Sequence, residues 1–209
     1  MTHLDDLLQR YPVLAACRAE IQAAYEALAA CYAAGGKLLV CGNGGSAADA
    51  DHIVGELMKG FLKPRPLPPD LRTRLSAVDP ALGSLLASQL QSGLPAINLA
   101  ADAALRTGFA NDVSAELSYA QAAHVHGRKG DVLLGISTSG NAASVRAALV
   151  VARAIGMMTI GLTGRGGGSM APFCDILVAV PADRVFEIQE LHLPVYHCLC
   201  AMLEERFFG

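Results

Sequence analysis

The sequence predicts an α/β doubly wound fold, a five-stranded parallel sheet flanked by helices. Three observations carry that prediction. Five short runs are continuously apolar: KLLVC (37–41), AINLA (96–100), VLLGIS (132–137), MMTIGLT (157–163) and DILVAV (175–180). They are separated mostly by helical patterns, and unbroken apolar strands between helices mark a sheet buried on both faces. Glycine- and serine-rich segments follow the first and third runs, where open α/β sheets bind their ligands.

At 209 residues the chain has the length of a single domain, here 1–209. Residues 1–36 form an N-terminal helical element. Its pattern is broken near Pro12, after which Ile21, Tyr25, Leu28 and Tyr32 form one stripe before Gly35 and Gly36 stop it. A partner subunit is the expected cover for that stripe. A chain 53% hydrophobic and only 17% charged also points to an oligomer. Residues 63–94 read as an insertion: Pro64, Pro66, Pro68 and Pro69 suggest an extended surface connection, and ALGSLLASQLQ a short closing helix. The last element, roughly 185–207, reads as a helix interrupted by Pro194.

Several function classes are excluded by composition. A net charge of −3 without a basic cluster does not suit nucleic acid. No window approaches the run of about 20 apolar residues that a membrane span needs. The start MTHLDDLLQR lacks the basic and apolar regions of a secretory signal, so the cytoplasm is the expected location. Six cysteines lie in apolar stretches and read as small reduced hydrophobes; Cys198 and Cys200 point to different helix faces.

Two turns carry the chemistry. In CGNGGSAADADHIVGE (41–56) the glycines match a dinucleotide-binding template, but the next strand begins only near residue 96, far beyond the spacing that template requires. A phosphate-binding lysine is absent too. What remains is a strand, a turn of Asn43, Gly44, Gly45 and Ser46, and a helix N-terminus that favours an anion. A plain turn accounts for this segment equally well. The second segment, GISTSGNAASV (135–145), offers Ser137, Thr138, Ser139 and Asn141 around Gly140. Serine and threonine also cap helices, yet two such turns on one sheet point to a phosphorylated ligand.

His52 and Glu56 share a helix face at i and i+4. Gln189 and His197, eight apart, lie on broadly one side of the last helix, flanked by His192 and Tyr196, which read as packing or supporting groups. If the two helices meet, a carboxylate, two imidazoles and an amide converge, suited to acid/base work or to a divalent metal. Spacing leaves open whether they meet. His124 and His126 read as surface residues, His3 as part of a mobile terminus, and TGRGGGS (163–169) as a mobile border.

Taken as an ordered set, CGNGGSAADADHIVGE, GDVLLGISTSGN, TIGLTGRGGGSMA and IQELHLPVYH resemble the sugar isomerase (SIS) fold, and specifically the phosphoheptose isomerases. The resemblance implies a homotetramer with sites at subunit contacts, acting on a small sugar phosphate, with no nucleic acid and no membrane. It implies conversion of D-sedoheptulose 7-phosphate into D-glycero-D-manno-heptose 7-phosphate for lipopolysaccharide core or other surface glycans. Glu56 matches the catalytic base and His197 its acid/base partner; His52, Glu56, Gln189 and His197 match zinc ligands. Substrate contacts are expected from Asn43, Gly44, Gly45, Ser46, Glu56, Asp102, Asn111, Asp112, Ser137, Thr138, Ser139, Asn141 and Gln189. Three departures stand out: Ala142 where relatives often have serine, Phe186 where an aspartate often contacts the sugar with Asp183 out of register, and the insertion, expected to reshape the pocket rim. The rival reading is a non-catalytic SIS protein resembling the DnaA initiator-associating protein. That relative lacks the carboxylate and the terminal-helix histidine, whereas Glu56 and His197 are present here. An isomerase of another phosphosugar is the second alternative.

Overall fold

In the computed structural model, which describes residues 2–209, all five apolar runs are strands. They are β1 (Leu38–Gly42), β2 (Ala96–Asn98), β3 (Val132–Ser137), β4 (Met158–Gly164) and β5 (Ile176–Val180). The sheet is parallel throughout, in the order β2-β1-β3-β4-β5. Leu38 pairs with Ala96 on one side and with Val132 on the other. From β1 the chain turns to one edge through β2, then returns to build the other edge from β3. The crevice beyond β1 and β3 is therefore the topological switch point, where such sheets place ligands.

Period-two alternation divides each strand between two cores. Leu38 and Val40 join the core under α2 (Arg18–Ala33), α3 (Gly45–Met58) and α9 (Val185–Phe208), while Leu39 and Cys41 join the one under α7 (Ser118–His126) and α8 (Ala143–Ala154). The six cysteines are free, and five of them are buried.

Four expectations need correction. The stripe of α2 is not left for a partner: Ile21, Leu28 and Tyr32 are buried within this chain, in contact with α9 and β5, and only Tyr25 stays half-exposed. The reason is that α9 folds back across the domain, and Phe207 meets the Tyr32 ring edge-on at 6.1 Å. Pro194 does not interrupt α9, which runs unbroken from Val185 to Phe208. The proline ring is buried, and Glu190, whose carbonyl it leaves without a helical donor, lies on the exposed side.

The insertion holds two helices rather than one, α4 (Pro69–Val78) and α5 (Pro80–Gln89). Each begins with its proline in the first turn, where no amide donor is needed. Asp79 caps α5 by accepting from the Ala81 and Leu82 amides. The two helices pack on each other, Gly83 meeting the Leu75 carbonyl so closely that no Cβ would fit. His3 belongs to the N-terminal helix α1 (His3–Arg10), which Thr2 and Asp5 close with a reciprocal capping box. No helix among the described residues is long and apolar enough to cross a membrane.

Candidate functional site

Beyond β1 and β3 lies a cavity of about 340 Å³, lined by Asn43, Ser46, Ser137, Thr138, Ser139, Asn141, Ala142 and Gln189 with Ile136 and Val185. It brings together both predicted turns. None of its lining residues is cationic. What favours an anion there is the pair of helix starts at its edge. Gly44, with φ at +56°, opens α3, and Ala142 opens α8; neither helix has a side-chain cap. The Ser46 and Ala47 amides of α3 already donate to the Asn43 and Gly44 carbonyls at 3.0 Å, so it is the first-turn amides of α8, with the hydroxyls beside them, that suit a phosphate dianion.

The walls are held from outside. Asn141 donates to the Ser139 carbonyl at 3.0 Å and accepts from the Ser169 amide at 2.9 Å, so its amide serves as a strut of the loop. Asn43 donates to Ser144 Oγ at 2.9 Å, and the Tyr119 hydroxyl, 3.1 Å from Asn43 Oδ1, donates to the Gly42 carbonyl at 2.7 Å. Gly140 (φ +67°) and Gly168 (φ +60°) pack backbone to backbone, which couples the serine turn to the TGRGGGS loop. That loop is therefore a buttress, not a mobile border.

The second group lies where α3 meets α9. His52 Nε2 is 3.4 Å from Glu56 Oε1 and 3.4 Å from His197 Nε2. The other Glu56 oxygen accepts from Lys59 Nζ at 2.9 Å. Burial, and then His52 beside it, keep the His197 imidazole below its ordinary pKa despite the pull of Glu56. Behind His52 runs a relay that periodicity did not reveal. The Tyr196 hydroxyl donates to Asp49 Oδ1 at 3.3 Å and meets His52 Nδ1 at 3.0 Å. With that hydroxyl donating to Asp49, Nδ1–H of His52 donates to Tyr196 and Nε2 is left with its lone pair towards Glu56 and His197. A second cavity, about 310 Å³, opens on His197 between α1 and α9, with Arg10, Asp6, Phe61 and Leu62 in its wall.

Ligands of a tetrahedral zinc ion, at about 2.0–2.1 Å from the metal, stand about 3.3–3.4 Å from one another. Both separations around His52 Nε2 fit that edge, and two imidazoles with a carboxylate are a zinc donor set. The third edge is not closed, since among the described residues no three His, Cys, Asp or Glu side chains group as a complete site. Gln189 is not with the imidazoles. Its amide lies against Gly45, leaving no room there for a Cβ, in the wall of the first cavity.

Other expected residues stand apart. Asp102 caps α6 (Ala103–Phe109) by accepting from the Leu105 amide at 2.9 Å, and Asn111 bonds to Asp112 in the following exposed turn; none of the three lines the cavity. Phe186 lies half-exposed under the Arg184 guanidinium, and Asp183 pairs with Arg165. No residue of the insertion lines the first cavity. His124 and His126 are exposed in the last turn of α7.

A family model described as the SIS domain matches residues 4–85 and 80–164. The phosphoheptose isomerase of Desulfovibrio desulfuricans is 42% identical over 181 residues, covering 87% of this chain and 74% of that protein. That of Burkholderia pseudomallei is 38% identical over 191 residues, covering 91% and 84%. Among solved structures, the phosphoheptose isomerase from Neisseria gonorrhoeae superposes with a TM-score of 0.75 at 30% identity, covering 97% of this chain and 95% of that one. The Francisella tularensis enzyme gives 0.74 at 29%, covering 98% and 100%.

Proposed function

The chain belongs to the SIS-domain family and, within it, to the phosphoheptose isomerases, and from this membership we propose that it interconverts D-sedoheptulose 7-phosphate and D-glycero-D-manno-heptose 7-phosphate. The observation that carries the reading is the pairing of a hydroxyl-lined cavity at a helix start with a Glu56 and His197 centre further along the two helices, α3 and α9, that also line that cavity through Ser46 and Gln189. Gln189 in the cavity wall and His197 are eight residues apart on α9, about 12 Å at 1.5 Å per residue. A long phosphosugar can anchor at one end and react at the other.

The serines and the start of α8 hold the phosphate, and that binding energy orients the distant carbonyl. Glu56 takes the proton from the hydroxymethyl carbon and returns it to the neighbouring carbon. His197, kept neutral by burial and His52, moves the proton between the two oxygens, which an imidazole with a low pKa can both accept and give. The charge that develops is an enediolate. His52, Glu56 and His197 would hold a zinc ion, and bound there it would polarise the carbonyl; Gln189, in the wall of the other cavity, stands too far along α9 to join them.

The assembly is proposed as a homotetramer with sites at subunit contacts. Asp102, Asn111 and Asp112, exposed and outside their own chain's cavity, would then reach a neighbour's substrate. Heptose supply to lipopolysaccharide core or surface glycans, in the cytoplasm, completes the reading. The test incubates purified protein with sedoheptulose 7-phosphate and a panel of pentose and hexose phosphates. Turnover should be confined to the heptose and should vanish in Glu56→Gln and His197→Ala; activity surviving both substitutions refutes the mechanism.

A further inference from the structure

Helix α3 ends without a glycine cap: its C-cap residue, Lys59, is extended. Its last carbonyls are served by a side chain from the insertion. Arg65 Nη1 donates to the Leu57 carbonyl at 2.8 Å, and Nη2 to the Glu56 carbonyl at 3.2 Å. The Leu57 carbonyl also accepts from the Leu94 amide at 2.8 Å. On its other edge, Arg65 Nε donates to Glu204 Oε1 of α9 at 2.8 Å, and the Phe208 ring lies 4.6 Å from the guanidinium carbon. Glu204 accepts in turn from the Phe61 and Leu62 amides at 2.8 and 2.7 Å.

Both side chains are fully enclosed, at 0% and 1% exposure. Burial alone would raise the Glu204 pKa, yet the two amides and Arg65 outweigh it and hold the carboxyl below its ordinary value. A buried ion pair is weak evidence of stabilisation, because well-packed apolar residues of similar volume serve as well or better. What only a planar fork supplies is simultaneous grip on a carboxylate and on two backbone carbonyls. One of those carbonyls belongs to Glu56 itself. Glu204 lies seven residues after His197 on α9, about two helical turns, on the same side of the helix. A single guanidinium thus ties the turn that carries one reacting group to the helix that carries the other.

We propose that Arg65, gripped by Glu204, is a positioning residue for the reaction: it caps α3 and sets the reach of the Glu56 carboxylate towards His197. The neck of the insertion, closed where Ser92 N donates to the Arg65 carbonyl at 2.7 Å, is then the missing end of the catalytic helix. The proposal rests on the isomerase reading above.

Two variants of the full chain test it, Arg65→Lys and Glu204→Gln. Lysine keeps the positive charge but offers one donor centre in place of a fork. With sedoheptulose 7-phosphate, kcat should fall roughly 10- to 100-fold in Arg65→Lys, the scale of a small misplacement of a reacting group. KM should stay within about twofold, because the phosphate cavity is built on other turns. Amide exchange in the last turn of α3 should accelerate while that of α8 does not. Glu204→Gln should shift both readouts the same way by a smaller amount. A folded Arg65→Lys protein with wild-type kcat overturns the proposal, as does a kcat loss matched by an equal loss of protection throughout the fold. If neither variant folds, exchange in the wild-type protein decides: Phe61 and Leu62 amides as slow as the last turn of α3 support the latch, and loop-like exchange there overturns it. Wild-type protein inert towards every phosphosugar would remove the isomerase reading, while the exchange measurement would still test the latch.

Discussion

Replacing Tyr196 by phenylalanine removes one oxygen from the relay behind His52, and its consequences can be worked out group by group. The hydroxyl is the partner shown for Asp49 Oδ1, and Asp49 Oδ2 is buried with none. Without the hydroxyl the whole carboxyl is unpaired, in a place where burial already raises its pKa. An unsatisfied buried acceptor costs about 1–3 kcal/mol, and the half-buried setting of Asp49 places the expected loss near the lower end, about 1–2 kcal/mol. For a domain of this size that lowers the thermal midpoint by about 2–8 °C. A second consequence is independent of the first. His52 loses the group that fixes its Nδ1 proton, and losing such a partner typically weakens metal affinity or activity about 10- to 100-fold. Circular dichroism melting of chelated protein, zinc competition against a coloured chelator, and turnover of sedoheptulose 7-phosphate separate the two. A lowered midpoint with unchanged zinc affinity and kcat would refute the orienting role of Tyr196, and no change in any of the three would refute the relay itself.

His192 is fully buried with no hydrogen-bond partner on either ring nitrogen. Burial pushes its pKa down to about 4, and the Thr163 carbonyl, not placed for a full hydrogen bond, offsets this only in part. The unfolded chain takes up that proton near the ordinary value of 6.5, so stability is present above pH 6.5 and is lost as pH falls through about 4, by roughly 3 kcal/mol in all. Urea midpoints between pH 7 and 4 should therefore fall more steeply in the wild type than in His192→Met, and parallel profiles would show that no neutral buried imidazole is present. In Gly140→Ala the new Cβ meets the Gly167 carbonyl at a left-handed backbone position, which costs about 1–2 kcal/mol for the conformation alone. KM should rise roughly tenfold with a smaller change in kcat, and a KM within about twofold of wild type would contradict the buttress role of the glycine loop. Metal analysis of dialysed protein should find about one zinc ion per chain, with turnover lost to chelator and restored by zinc; metal-free, chelator-insensitive turnover would remove zinc from the mechanism.

How much was legible in the sequence depended on how far apart the cooperating residues lie. The strands were readable because a sheet buried on both faces demands unbroken apolar runs; VLLGIS is β3, and DILVAV differs from β5 by one residue. The cavity beyond β1 and β3 was readable because each of the two turns that line it is local, a strand end, a turn and a helix start within a dozen residues. Two prolines misled: Pro69, read as part of an extended connection, opens α4, and Pro194 is carried inside α9. Asp102, Asn111 and Asp112 were carried over from the resemblance, and within one chain they stand away from the cavity.

The meeting of His52 with His197, 145 positions apart, and of Arg65 with Glu204, 139 apart, leaves no periodic trace. An arginine among prolines reads as a surface residue until the fold encloses its partner. In the proposed reading, substrate anchoring is thus written in local turns, whereas the alignment of the reacting groups depends on contacts between distant helices. Substitutions in the turns should move KM, and those at the long-range contacts should move kcat. Gly140→Ala and Tyr196→Phe probe the two ends of that division, and Arg65→Lys, which touches neither the phosphate nor the reacting atoms, is its most demanding case.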